Sequence, residues 1–154
     1  MRHQLDQRFA ALERYISRAC GPRAPEDFAP DLMKFGTVLI CGTIEQCVQI
    51  IIMHRLKTRA HPRVLNFVKS HFKRGVNLDC SAIAQLLARF DGEWSRNFEN
   101  FVNDNDDVKE GISSVYGVRN SVAHGGSSGV GSKRLEELFN ASKSLIVGVE
   151  NATK

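Results

Sequence analysis

Leu5, Phe9, Leu12, Ile16 and Ala19 recur at steps of four, three, four and three, which predicts one apolar stripe on an amphipathic helix. Gly21-Pro22 ends it, and a proline-containing connection reaches Pro30. From about residue 32 to residue 57 the chain is apolar on nearly every side, so a long second helix belongs in the middle of a bundle. Pro62 suits the first turn of a third helix, with Val64, Leu65, Val68 and Phe72 facing inward. Asp79 is placed to cap a fourth that carries Ile83, Leu86, Leu87 and Phe90. A short fifth holds Trp94, Phe98, Phe101 and Val102. Asp104, Asp106 and Asp107 fit the start of a sixth, where carboxylates meet the positive end of the helix dipole. That helix runs to His124 and stops at Gly125-Gly126. After a Gly/Ser loop, Ser132 is the expected cap of a last helix with Leu135, Leu138, Phe139, Ile146 and Val149 inward.

No strand-like alternation and no internal repeat stands out, so the expectation is an all-α bundle of about six or seven helices. The chain has 154 residues with 42% apolar content, which supports one core and one domain over residues 1–154. Cys20, Cys41, Cys47 and Cys80 form no CxxC pair and show no zinc spacing with histidine. Buried, reduced thiols and no metal site follow. The charged, amphipathic N-terminus does not read as a signal peptide. Residues 35–53 could be long enough to insert in a bilayer, but Glu45, Gln46 and Gln49 near the middle disfavour it. The expected setting is soluble and cytoplasmic, without a membrane.

The net charge is a modest +4; its distribution says more. Residues 46–78 contain no acidic side chain but hold Arg55, Lys57, Arg59, Arg63, Lys69, Lys73 and Arg74, with His54, His61 and His71. This is either a solvated helix–loop–helix surface or one that tracks phosphates in a salt-dependent way.

The sixth helix carries the candidate chemistry. Its stripe reads Val108, Ile112, Val115, Arg119, Val122, so an arginine takes a place the pattern reserves for an apolar side chain. An unpaired buried guanidinium is expensive, and it must find a carboxylate or emerge at an interface. The second helix offers Glu45, the only charged residue between Lys34 and Arg55, set among Ile40, Cys41, Ile44 and Val48. The two misplaced charges are expected to meet. His124 follows Arg119 by five residues, about 140° around a helix and about 7.5 Å along it. A long arginine can lean toward such a helix end, where an imidazole stays accessible.

The run Arg119-Asn120-Ser121-Val122-Ala123-His124-Gly125 resembles the R-x4–6-H signature of the HEPN superfamily. The wider stretch from Val115-Tyr116-Gly117-Val118 onward is similar to the RiboL-PSP type, in which a second-helix glutamate recurs; Glu45 matches its place. The resemblance implies a helical bundle that forms a two-fold homodimer, joining two such motifs in one composite cleft. It further implies metal-independent cleavage of an RNA substrate with no cofactor.

Metal-free scission needs a group with an ordinary pKa near about 6.5 to move a proton, and a fixed cation for the developing phosphorane charge. His124 fits the first role and Arg119 the second, since its planar fork matches phosphate oxygens. Asn120 and Ser121 would orient the phosphate or the imidazole, and Glu45 would hold Arg119. Arg55, Lys57, Arg59 and Arg63 are the candidate RNA-binding cations. A toxin or phage-defence ribonuclease, with an antitoxin or regulatory protein as a further partner, is the expected function. The alternative is a non-catalytic HEPN module that binds RNA, nucleotide or a protein.

Other signals lead elsewhere. Residues 126–133 approach a P-loop, but the order is Gly-Ser-Lys and a helix precedes them where a strand is required. Cys47 lies on the apolar side of a central helix, where burial disfavours the thiolate. Trp94 and the phenylalanines of the fifth helix read as core.

Overall fold

In the computed structural model, which describes residues 1–22, 25–72, 77–126 and 129–154, the apolar stripes become seven α-helices. They are α1 (Arg2–Ala19), α2 (Ala29–Leu56), α3 (Pro62–His71), α4 (Cys80–Ala88), α5 (Gly92–Asn103), α6 (Asp106–Ala123) and α7 (Ser132–Ala152). A 3-10 turn, Glu26–Phe28, leads into α2. There is no strand among the described residues.

Helix α2 is central because it is apolar on several sides. Ile40, Ile44, Cys47, Val48, Ile51 and Ile52 are buried, and α1, α3, α6 and α7 pack around it. Its length and composition alone would suffice to cross a membrane, but half of its most apolar window is buried against these neighbours. Each aliphatic side chain buried there contributes roughly 1.5–3 kcal/mol.

Side-chain contacts fix the helix directions. Leu135 packs against Gly36 near the start of α2, and Arg55 near its end reaches Glu150 and Thr153. Helices α2 and α7 therefore run parallel. Helix α6 opposes both: Phe101, shortly before it, meets Gly148 late in α7, whereas Gly111 abuts Ala141 and the Val115 carbonyl lies 4.0 Å from Cys41 Sγ.

The helix ends follow local chemistry, with some shifts from expectation. Asp79 Oδ1 accepts from the Ala82 amide at 2.8 Å, capping α4. Asp106 and Asp107 lie in the first turn of α6, while Asp104 closes α5. Gly131, not Ser132, is the N-cap of α7; Ser132 is already helical and makes no capping bond. Helix α3 also departs from its predicted face. Val68 is buried and Leu65 half-buried, but Val64 is exposed. The bundle covers α3 along a single row, and Val64 falls outside it.

Candidate functional site

Helix α6 carries its stripe as expected until the last turns. Val108, Ile112 and Val115 are buried, and Arg119 on the next rung is half-buried. The arginine is thus neither in the core nor free in solvent. Glu45 is half-buried on α2, and Cys41 sits within the field of both charges. Burial pushes the Glu45 carboxyl above its ordinary value, against the opposing pull of the Arg119 charge. The two feel each other without touching: among the described residues no ion pair joins them. Because α6 opposes α2 with Val115 level with Cys41, Arg119 is carried away from Glu45. The guanidinium instead donates from Nη1 to Asn120 Oδ1 at 3.1 Å.

Beneath this pair the side chains are buried. Burial pushes the Cys41 thiol up to about 12, with Glu45 adding to the shift and Arg119 opposing it. Burial likewise takes Cys47 to about 12. Neither is a thiolate near neutral pH, so neither is a nucleophile. The four cysteines are free, Cys41 and Cys47 buried and the other two half-buried. Tyr116 is buried, with its hydroxyl against the Leu78 backbone but without a well-aligned hydrogen bond. Burial, and then the neighbouring Cys41, hold that phenol well above its ordinary range.

His124 is the C-cap of α6 and is exposed. Its amide donates to Asn120 O at 3.1 Å and to Ser121 O at 3.2 Å. Gly125 follows at φ +75°, a left-handed conformation that glycine adopts without penalty. The Gly125 amide donates to Val122 O at 3.1 Å, and the Gly126 amide to Ser121 O at 2.7 Å. These two bonds form a Schellman cap, which satisfies carbonyls the helix would leave open. A Cβ on Gly126 would collide with Ser121 Oγ. Ser121 thus closes the turn through its carbonyl and leaves room for a glycine alone. Asn120 is exposed beside it. The turn fixes the backbone that presents the imidazole, one helix end from a guanidinium that faces partly into solvent.

The predicted basic residues divide. Arg55 is half-buried and committed: Nη2 donates to Glu150 O at 3.0 Å and Nε to Thr153 Oγ1 at 3.3 Å. It ties down the end of α7 rather than standing in solvent as the other three do. Lys57, Arg59 and Arg63 are exposed. They lie past the end of α2, about fifteen residues or some 22 Å beyond Cys41. His124 lies about 14 Å from Val115 in the opposite direction. The motif and the cations therefore occupy opposite ends of the bundle. Lys73 and Arg74 lie outside the described residues, as do Ser127 and Ser128 of the glycine-rich loop.

The sequence pattern assigned no role to Tyr116, and it read Gly125-Gly126 as the helix stop without telling the left-handed Gly125 from the tightly packed Gly126. The signal for the glycines was present, since two in succession directly after a motif histidine suit a cap with a tight second position. Among the described residues no three His, Cys, Asp or Glu side chains converge as metal ligands.

A family model described as RiboL-PSP-HEPN matches residues 3–154. No curated protein and no solved structure matches the chain.

Proposed function

The chain belongs to the RiboL-PSP-HEPN family, and from that membership we propose that it is a metal-independent endoribonuclease acting as a homodimer. Membership points to an RNA-related role; the specific activity is our reading of Arg119 and His124. The observation that carries it is a half-buried arginine on the core stripe of α6, followed by an exposed histidine on a glycine-fixed turn.

The reaction requires the ribose 2′-oxygen to attack the adjacent phosphorus while the bond to the 5′-oxygen breaks. One imidazole takes the 2′-OH proton and another returns a proton to the leaving 5′-oxygen. A single His124 does not readily do both in one step. A two-fold dimer supplies two His124 and two Arg119 across its axis. Arg119 stabilises the charge on the non-bridging oxygens with its planar fork. Asn120, which already accepts from Arg119, sets the direction of that fork.

In this reading the enzyme is a cytoplasmic toxin or phage-defence nuclease under an antitoxin or regulatory protein. Growth arrest on expression, relieved by His124→Ala, is its cellular sign. The products are expected to end in 2′,3′-cyclic phosphate and 5′-hydroxyl groups, made by a particle of twice the 17.2 kDa chain mass. An all-deoxy strand is expected to remain whole, because it lacks the nucleophile. Cleavage of that strand, or 5′-phosphate ends on the RNA, would contradict the mechanism.

A further inference from the structure

Phe67, on the outer side of α3, is 75% exposed, and Val64 beside it is 49% exposed. A phenylalanine left in water forgoes the burial that ordinarily places it inside a protein. Arg63 stands one turn before Phe67 on the same face and His71 one turn after it, both exposed. Lys57 and Arg59 are exposed in the turn that leads into α3. Residues 46–78 contain no carboxylate side chain that would compete for these cations.

A single accessible ring among cations has the chemistry of a base-stacking site. We propose that this face of α3 is a platform for unpaired nucleotides, on which a base stacks over Phe67 while neighbouring phosphates meet Arg63, Lys57 and Arg59. The proposal rests on the reading of this chain as an RNA-acting protein and narrows its substrate to single-stranded RNA. A base paired within a helix does not present its ring face to a protein side chain, whereas a splayed base does. Two exposed apolar side chains on a helix of 10 residues make a poor bilayer anchor, which needs a broad apolar face. They also fall short of a stable protein interface, which covers about 800 Å² on each partner. The platform lies toward the end of the bundle away from His124, so its part is to hold the strand.

Binding is read by fluorescence anisotropy with the full chain carrying His124→Ala, using a labelled oligoribonucleotide of about twelve residues, single-stranded or in a duplex. Adding Phe67→Ala is expected to weaken single-strand binding on the order of tenfold and to leave duplex binding unchanged. Phe67→Trp is expected to restore binding, with RNA quenching its fluorescence beyond the background of Trp94, the one native tryptophan. Equal single-strand binding with and without Phe67, or equal losses on single strand and duplex, would overturn the proposal. So would a Phe67 effect seen on phosphatidylserine vesicles and absent on RNA. The ribonuclease reading fails by a different result: single strands held through Phe67 but left uncut by the wild type would retain the platform and remove the cleavage.

Discussion

Arg119 ends a buried row with its guanidinium half in water, and the carboxylate level with the row's middle, Glu45, does not close on it. An ion pair buried at contact distance would have tied up the fork that phosphate recognition requires. With Asn120 as its hydrogen-bond partner, Arg119 keeps donors free for a substrate. Glu45 bears a cost in return, because its carboxyl is partly desolvated and its affinity for a proton is raised. Its contribution to stability is full below the unfolded carboxyl value and is lost as pH rises through the raised folded value. Glu45→Gln removes that loss. The melting temperature of the variant, relative to wild type, is therefore expected to rise as pH climbs past the ordinary carboxyl value. A variant that instead loses most at neutral pH would show that the Glu45 charge stabilises the fold through a direct pair.

At the level of helices, the end of α6 does most to build the site. The left-handed Gly125 and the close contact of Gly126 with Ser121 stop the helix where His124 becomes accessible. Gly125→Ala forces an L side chain into that conformation at a cost of about 1–2 kcal/mol, or a fall of a few degrees in melting temperature for a chain of this size. Cleavage is expected to fall with it, because the turn that holds the imidazole moves. Gly125→Asn is expected to recover much of both, since asparagine tolerates this conformation. Thermal melts and cleavage assays on the two variants check this; full activity in Gly125→Ala would separate the turn from the chemistry.

The helices themselves were legible because apolar spacing and caps act locally, as at Asp79 and along α6. Features that depend on what a side chain meets across the bundle were not. Val64 and Val68 look equivalent in sequence, and only the width of the neighbouring surface decides which is buried. Arg55 belonged to an uninterrupted basic run, yet the end of α7, far along the chain, claims it. Ser132 had the right chemistry for a cap but lies one residue too late, inside the helix that begins after Gly131. Arg119 and Glu45 were both visible as misplaced charges; their separation depends on how α6 is set along α2, which no local pattern encodes.

Across the molecule, the parallel course of α2 and α7 and the opposed course of α6 send the motif to one end and the exposed cations to the other. A substrate held at the basic end of one subunit and cut at the motif end must span much of the bundle, or cross to the second subunit of a dimer. Either arrangement separates holding from cutting, so loss of Arg119 or His124 is expected to stop the reaction without abolishing binding. The most direct measurement is the cleavage of a mixed RNA pool in EDTA by wild type, His124→Ala and Arg119→Ala, each verified as folded. Cutting is expected from the wild type alone, with cyclic-phosphate ends. Equal cutting by all three would place the chemistry elsewhere, and a folded dimer that cuts in none of the three forms would leave a binding module in place of an enzyme.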